Sequence, residues 1–250
     1  MSGHSKWSQI KRQKGANDAK RGAVFTKLGR EITIAARAGG GDPDANYRLR
    51  LAMDNARAAN MPADNIKRAI EKAVGGSAAE QYEEIVYEGY GPGGVALLVE
   101  AATDNKNRTA ADVRAMFTKA GGQLAGAGAV AWQFEPRGVV SIARDGKDPD
   151  EIALAAIDAG ADDVDTDSDP VEVITDPTNL EGVRKTLEGA GMPIDSAEVQ
   201  MHAKTPIEVD AHVARQNLRL IEALEDLDDV QRVTANFDLP AEILAEAASV

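Results

Sequence analysis

The chain has 250 residues, 43% of them hydrophobic, enough for two or three packed units. It contains no cysteine, so disulfides, thiolate zinc sites and a cysteine nucleophile are excluded together, and no window nears the ~18–20 apolar residues of a membrane span. The net charge of −13 conceals a segregation along the chain: residues 1–76 carry 15 Lys and Arg against 7 Asp and Glu, a net of +8, and residues 77–250 carry 13 against 34, a net of −21.

Such a division describes a basic module on an acidic body, one end meeting a polyanion while the other repels it. The competing reading is a solvated basic face that only aids solubility. No apolar stretch follows the polar, basic opening, so a cytoplasmic protein without a membrane partner is expected.

The first segment, Gly3–Gly22, reads GHSKWSQIKRQKGANDAKRG; it has no sustained apolar period and is taken as an extended arm or loop leading into a helix. From Lys20 to Arg37 the period becomes helical, with Val24, Phe25, Leu28, Ile32, Ala35 and Ala36 on one arc and Lys20, Lys27, Arg30 and Arg37 on the other. Gly39–Gly41, Asp42 and Pro43 end it. A second helix is predicted over about Asn46–Asn60, with Leu49, Ala52, Met53 and Ala56 inward, and a third opens at Pro62 with Ile66, Ile70 and Val74 as its stripe.

Beyond a linker near Ser77–Glu80, strands are predicted at Glu84–Glu88, Val95–Ala101 and Ala129–Phe134, with a helix at Ala110–Ala120. Then Val139–Ile142, Glu151–Asp158, Asp162–Asp165, Val171–Thr175, Asn179–Ala190 and Ala197–His202 spell β-α-β-β-α-β, the ferredoxin-like order. A last helix, about Ala211–Leu227, and a strand, Gln231–Phe237, supply what the middle unit lacks. The fold class is therefore α+β. We expect a three-helix bundle over 1–78, an α+β domain over 79–136 plus 205–240, and a second ferredoxin-like α+β domain over 137–204 inserted in it.

The candidate binding residues are mostly cations. Lys6, Lys11, Arg12, Lys14, Lys20 and Arg21 lie close together beside the basic face of the first helix, which adds Lys27 and Arg30, and such an array suits phosphates. Trp7 has two readings, an indole that stacks on a base or an anchor that packs the arm against the bundle. The loop TDNKNRTAAD, Thr103–Asp112, places Asn105, Lys106, Asn107 and Arg108 at a helix entry where free backbone N–H groups favour an anion; the alternative is an ordinary cap with solvated neighbours. The run GGQLAGAG, Gly121–Gly128, reads as a linker or as a segment that closes over a ligand.

Apparent enzyme motifs fail on context. Gly89, Gly91 and Gly94 match G-x-G-x-x-G, but Pro92 interrupts them and a strand follows, so a hairpin turn is expected. Asp165, Asp167 and Asp169 resemble the start of a calcium loop, but Pro170 takes the place of the required glycine; a polar turn is expected. His4, His202 and His212 are scattered. No catalytic residue, metal, cofactor or small-molecule substrate is expected, and nothing declares a symmetric dimer, so a monomer is.

The strings MSGHSKWSQIKRQKGANDAKRG, ANMPADNIKRAIEKAVGG (Ala59–Gly76) and YEGYGPGGVALLVEAATDNKNRTAADVR (Tyr87–Arg114) resemble the YebC/PmpR family, and the resemblance runs from Ser2 to about Leu239. It implies a helical domain and two α+β domains, the third nested in the second. It also implies one of two functions: a DNA-binding transcriptional regulator, as bacterial members are usually described, or a ribosome- or RNA-associated translation factor. The latter is the role of the family's mitochondrial translational activator of cytochrome c oxidase, with relief of stalling at proline-rich stretches as the proposed action. Lys6, Trp7, Lys11, Arg12 and Lys14 match the family's basic opening, and Asn105, Asn107 and Arg108 its strand-to-helix loop. The strongly acidic body departs from any scheme in which the α+β domains lie along bare duplex.

Overall fold

The computed structural model describes residues 18–75 and 82–243. The described residues open with helices α1 (Asp18–Gly39), α2 (Tyr47–Ala58) and α3 (Ala63–Val74), packed around Ile32, Ala36, Leu49, Met53, Ala56 and Ile66. The α1–α2 turn is tied by Asn46, whose Oδ1 accepts from Leu49 N at 3.1 Å as an N-cap while Nδ2 donates to Ala35 O and Gly40 O, both at 2.8 Å. The 22-residue α1 is about 33 Å long and the 12-residue α3 about 18 Å at ~1.5 Å per residue. Their C-terminal ends are level, since Gly41 lies against Ile70 and Val74. The N-terminal part of α1 therefore overhangs the bundle, which corrects one expectation: Val24, predicted inward, is 45% exposed. Val74, at the end of α3 beside the Gly41 turn, is likewise exposed.

The first sheet contains β1 (Glu83–Tyr90), β2 (Ala96–Thr103), β3 (Gln123–Leu124) and β9 (Val230–Ala235) in the order β3-β1-β2-β9. Helices α4 (Lys106–Lys119) and α7 (Ala211–Glu225) cover one face and bury Leu97, Val99, Phe117, Leu218, Ile221 and Val233. The second sheet, in the order β5-β6-β4-β7, is built from β4 (Phe134–Ile142), β5 (Asp163–Asp165), β6 (Val171–Thr175) and β7 (Ile194–Ala203). It is covered by α5 (Pro149–Asp158) and α6 (Leu180–Gly189). A short parallel pair joins β8 (Ile207–Glu208) to β10 (Phe237–Asp238).

Each sheet has the antiparallel ferredoxin-like strand order. In the second it follows the β-α-β-β-α-β path; in the first the same spatial order is reached with β1 ahead of the rest and with α7 and β9 arriving only after the second sheet is complete. The third unit is thus inserted in the second.

The stretch between β1 and β2 is a hairpin connection in which Gly93 and Gly94 take left-handed backbone, while packing sets Gly91 and, at the end of β1, Gly89. A Cβ at Gly89 would sit 2.5 Å from the Phe117 ring, and one at Gly91 would sit 2.1 Å from Asn217 Oδ1. Two local expectations change. Ala129–Phe134 is not a strand: Ala131–Gln133 form a 3-10 turn and β4 starts at Phe134. The reason is the Glu88 carboxylate, which accepts from Gly128 N (2.6 Å), Val130 N (2.7 Å) and Ala131 N (2.8 Å) and so takes amides that a strand would pair in a ladder. Burial by itself raises the Glu88 pKa; the three backbone donors outweigh it and hold it below the usual carboxylate range. The GGQLAGAG run is no mere linker, since Gln123 and Leu124 form edge strand β3 against β1.

Candidate nucleic-acid interface

Among the candidate residues, Lys6, Trp7, Lys11, Arg12 and Lys14 lie outside the described residues, and Lys20 and Arg21 fall in the first turn of α1, where only the backbone is described. The others have definite places, and the face of α1 opposite the bundle core decides them. That face crosses the end of the first sheet where α7 turns into β9. There Lys27 Nζ donates to Glu225 O, and Arg30 Nη1 donates to Ala102 O at 3.3 Å and lies 2.9 Å from Asp229 Oδ1. The Arg30 guanidinium also stands 5.2 Å above the centre of the Tyr82 ring. Burial lowers the Lys27 pKa, against the opposing pull of Glu225 and Asp226. Lys27 and Arg30 do lie on the arc opposite the apolar stripe, and that face meets a second unit instead of open solvent.

The strand-to-helix loop meets the same carboxylate from the other side. Arg108 Nη2 reaches Asp229 Oδ2 and Asp104 Oδ1, both at 2.8 Å, and the Thr103 and Thr109 hydroxyls lie 3.2 and 2.7 Å from Asp229 Oδ2. Asn105 is the N-cap of α4, its Oδ1 accepting from Arg108 N at 3.1 Å, so the side chain occupies a donor that an anion would need. Lys106 pairs with Glu83 at the surface, and Asn107 is exposed. The structure thus brings Arg30 and Arg108 together on one carboxylate of the protein itself, Asp229, with Lys27 on the nearby Glu225 carbonyl and Asn105 capping the helix that carries Arg108. Burial raises the Asp229 pKa, but the Arg108 and Thr109 hydrogen bonds and the Arg30 charge outweigh it and hold it down; the same hydrogen bond raises Arg108.

A second charged junction joins all three units. Glu31 of α1 is part-buried near Glu198 of β7, Arg232 of β9, Arg48 of α2 and Glu84 of β1; Arg232 pairs with Glu198 and lies cross-strand from Glu100. Burial, reinforced by Glu198 and Glu84 against Arg232 and Arg48, raises Glu31 to about 7. No sequence pattern marks this cluster, because its members come from five elements and each is an ordinary charged residue in its own segment. Asp229 was equally hidden, as one acid among several in LEDLDDV.

Two family profiles match the chain. Residues 5–76 match "TACO1/YebC protein N-terminal domain" and residues 82–237 match "TACO1/YebC second and third domain". The chain belongs to the TACO1/YebC family. Among its TACO1/YebC relatives, a protein of Roseiflexus castenholzii named "Probable transcriptional regulatory protein" is 57% identical over the whole of both chains. One of the same name from Rubrobacter xylanophilus is 55% identical over 99% of this chain and all of its own. A crystal structure of a conserved hypothetical protein from Aquifex aeolicus is similar at a TM-score of 0.87 and 45% identity, covering 91% of this chain and 94% of that one.

In this TACO1/YebC protein the cations of α2 and α3 are also engaged. Arg48 pairs with Glu84, Arg57 with Asp54 at 2.7 Å, and Lys67 lies 3.7 Å from Glu71. Arg68 donates to Asp64 O at 3.2 Å and to Asn65 Oδ1 at 2.8 Å. In sequence, residues 1–21 carry Lys6, Lys11, Arg12, Lys14, Lys20 and Arg21 against the single acid Asp18. Among the described residues, no group of three or more His, Cys, Asp or Glu is placed to hold a metal ion, and no helix is long and apolar enough to cross a membrane.

Proposed function

We propose that this protein is a non-enzymatic regulator of gene expression that binds nucleic acid through the cationic residues of its first 21 positions, carried on the helical bundle. The observation behind this reading is the density of positive charge in the sequence: residues 1–21 hold six cations against the single acid Asp18, whereas Lys27, Arg30 and Arg108 serve contacts within the protein. Duplex DNA is the polymer that the name of the relatives points to. RNA on the ribosome is the second reading. It is favoured by the fixing of α1 and α2 against the α+β units, which leaves neither helix free to enter a major groove as a recognition helix does.

The test is charge reversal of Lys11, Arg12 and Lys14 to Glu. Nucleic-acid affinity is expected to fall, and the slope of log K against log salt to flatten by about 2–3, while thermal unfolding stays unchanged. Binding equal to the parent's overturns the reading. Sucrose-gradient sedimentation of a lysate with and without competing duplex DNA then separates the polymers: cosedimentation with ribosomes that survives the competitor supports RNA, and release with tight promoter binding supports DNA.

A further inference from the structure

Trp132 is the most exposed large apolar side chain in the described residues, at 68%, in a chain with only two tryptophans. Indoles are ordinarily highly buried, because they bury more apolar area than any other side chain. A loose loop would explain the exposure trivially, but this loop is held on every side. The preceding backbone is held by Glu88 through Gly128, Val130 and Ala131, and Ala129 O accepts from the Tyr90 hydroxyl at 3.0 Å. The next residue, Gln133, takes Asn236 Nδ2 on its side-chain oxygen at 2.8 Å and Lys204 N on its carbonyl at 2.8 Å. Asn236 in turn accepts from Ala96 N at 2.8 Å, fixing the turn to β2. The indole Nε1 donates to Ala129 O at 3.1 Å, so the ring's one polar atom has its partner and its orientation is set. What is presented outward is the apolar surface of the indole ring. Beside it, Lys204 Nζ donates to the Trp132 carbonyl at 2.9 Å, which places an ammonium at the foot of the ring.

A rigid aromatic face with an adjoining cation is the pairing that recognises single-stranded nucleic acid, the ring stacking on a base and the cation meeting the flanking phosphate. We infer that Trp132 and Lys204 form a stacking platform for an unpaired nucleobase, a contact separate from the N-terminal cations and resting on the nucleic-acid reading above. Among the described residues, Arg30 of α1 docks beside Ala102 and Thr103 at the end of β2, and the Trp132 turn docks beside Ala96 at its start, seven residues or about 23 Å away at ~3.3 Å per residue. The platform adds selectivity for unpaired over paired strands, because bases within a duplex have no free face.

The experiment uses the full-length Trp7→Phe protein, in which Trp132 is the single tryptophan. Its fluorescence is followed on titration with a mixed-sequence single-stranded RNA of about twelve nucleotides and with the same strand annealed to its complement. The single strand is expected to quench Trp132 and the duplex to leave it unchanged. Trp132→Ala should weaken single-strand binding about 5-fold or more, in line with the cost of losing one stacked base, and Trp132→Phe should retain most of it. Absence of quenching, equal quenching by duplex, or parental affinity in Trp132→Ala overturns the platform. The arm variant distinguishes the two ideas. If charge reversal at Lys11, Arg12 and Lys14 abolishes binding but Trp132→Ala does not weaken it, the platform fails and the functional reading stands; if neither variant weakens binding, both fail.

Discussion

Replacing Asp229 by Ala removes the carboxylate on which three segments converge, and the structure sets the expected cost. The Asp229 and Arg30 side chains are 9% and 13% exposed, whereas Arg108 is 47% exposed. Removing one member of an enclosed pair leaves the other charge without compensation, which costs about 3–5 kcal/mol. Removing the solvated Arg108 costs about 1 kcal/mol or less. At ~2–4 °C per kcal/mol for a chain of this size, Asp229→Ala is expected to lower the unfolding midpoint by roughly 6–20 °C and Arg108→Ala by a few degrees at most. Because the folded Asp229 pKa lies below the unfolded value, its contribution is fully present above the ordinary carboxylate range and is lost as pH falls through the folded pKa. The penalty for Asp229→Ala should therefore shrink in acid. Calorimetric unfolding at pH 7 and in acid reads both effects, with salt titration of nucleic-acid binding on the same proteins. The reasoning is refuted if Arg108→Ala costs as much as Asp229→Ala, or if Arg30→Ala reduces affinity for nucleic acid without reducing stability.

Glu31 has the opposite sign. Its folded pKa is raised to about 7 from 4.5, so ionisation opposes folding and stability declines as pH climbs from the ordinary carboxylate value through 7. Glu31→Gln is expected to melt above the parent at pH 8, by an amount on the order of 2 kcal/mol, and to match it near pH 4.5; equal melting at both values refutes the assignment. Glu88→Gln leaves three amides without their charged acceptor, so hydrogen exchange at Gly128, Val130 and Ala131 should accelerate and stability drop by about 1–3 kcal/mol. Unchanged exchange at those amides would show that the turn holds itself. Gly89→Ala forces a methyl to within 2.5 Å of the Phe117 ring and should destabilise by about 1–3 kcal/mol, measured by urea unfolding; a neutral outcome would mean that Phe117 has room to move.

Much of the architecture was legible because hydrophobic period is a local property. The 3.6-residue stripe of Ile32, Ala35 and Ala36 and the β-α-β-β-α-β run from β4 to β7 give the same elements in the sequence and in space. The charge segregation was equally legible, since it needs only counting. Some errors were local too: the Ala129–Phe134 run looks like a strand until Glu88, some 40 positions earlier, takes its amides.

What the sequence could not determine is which faces meet. A helix wheel divides α1 into core and outside, but part of that outside is covered by a second unit, and there Lys27 and Arg30 meet Glu225 and Asp229. Likewise α2 sends Ala52 and Met53 into its own bundle and Leu51 into the core under the second sheet. Periodicity reports that a side chain is turned toward something apolar; it carries no record of which element, hundreds of residues away, supplies it. Charge follows the same rule. The sequence by itself fixed how many cations the N-terminal module carries, and only the packing of three units decided which of them neutralise the protein's own carboxylates, because pairing depends on distances of a few ångströms that the chain sets only when folded.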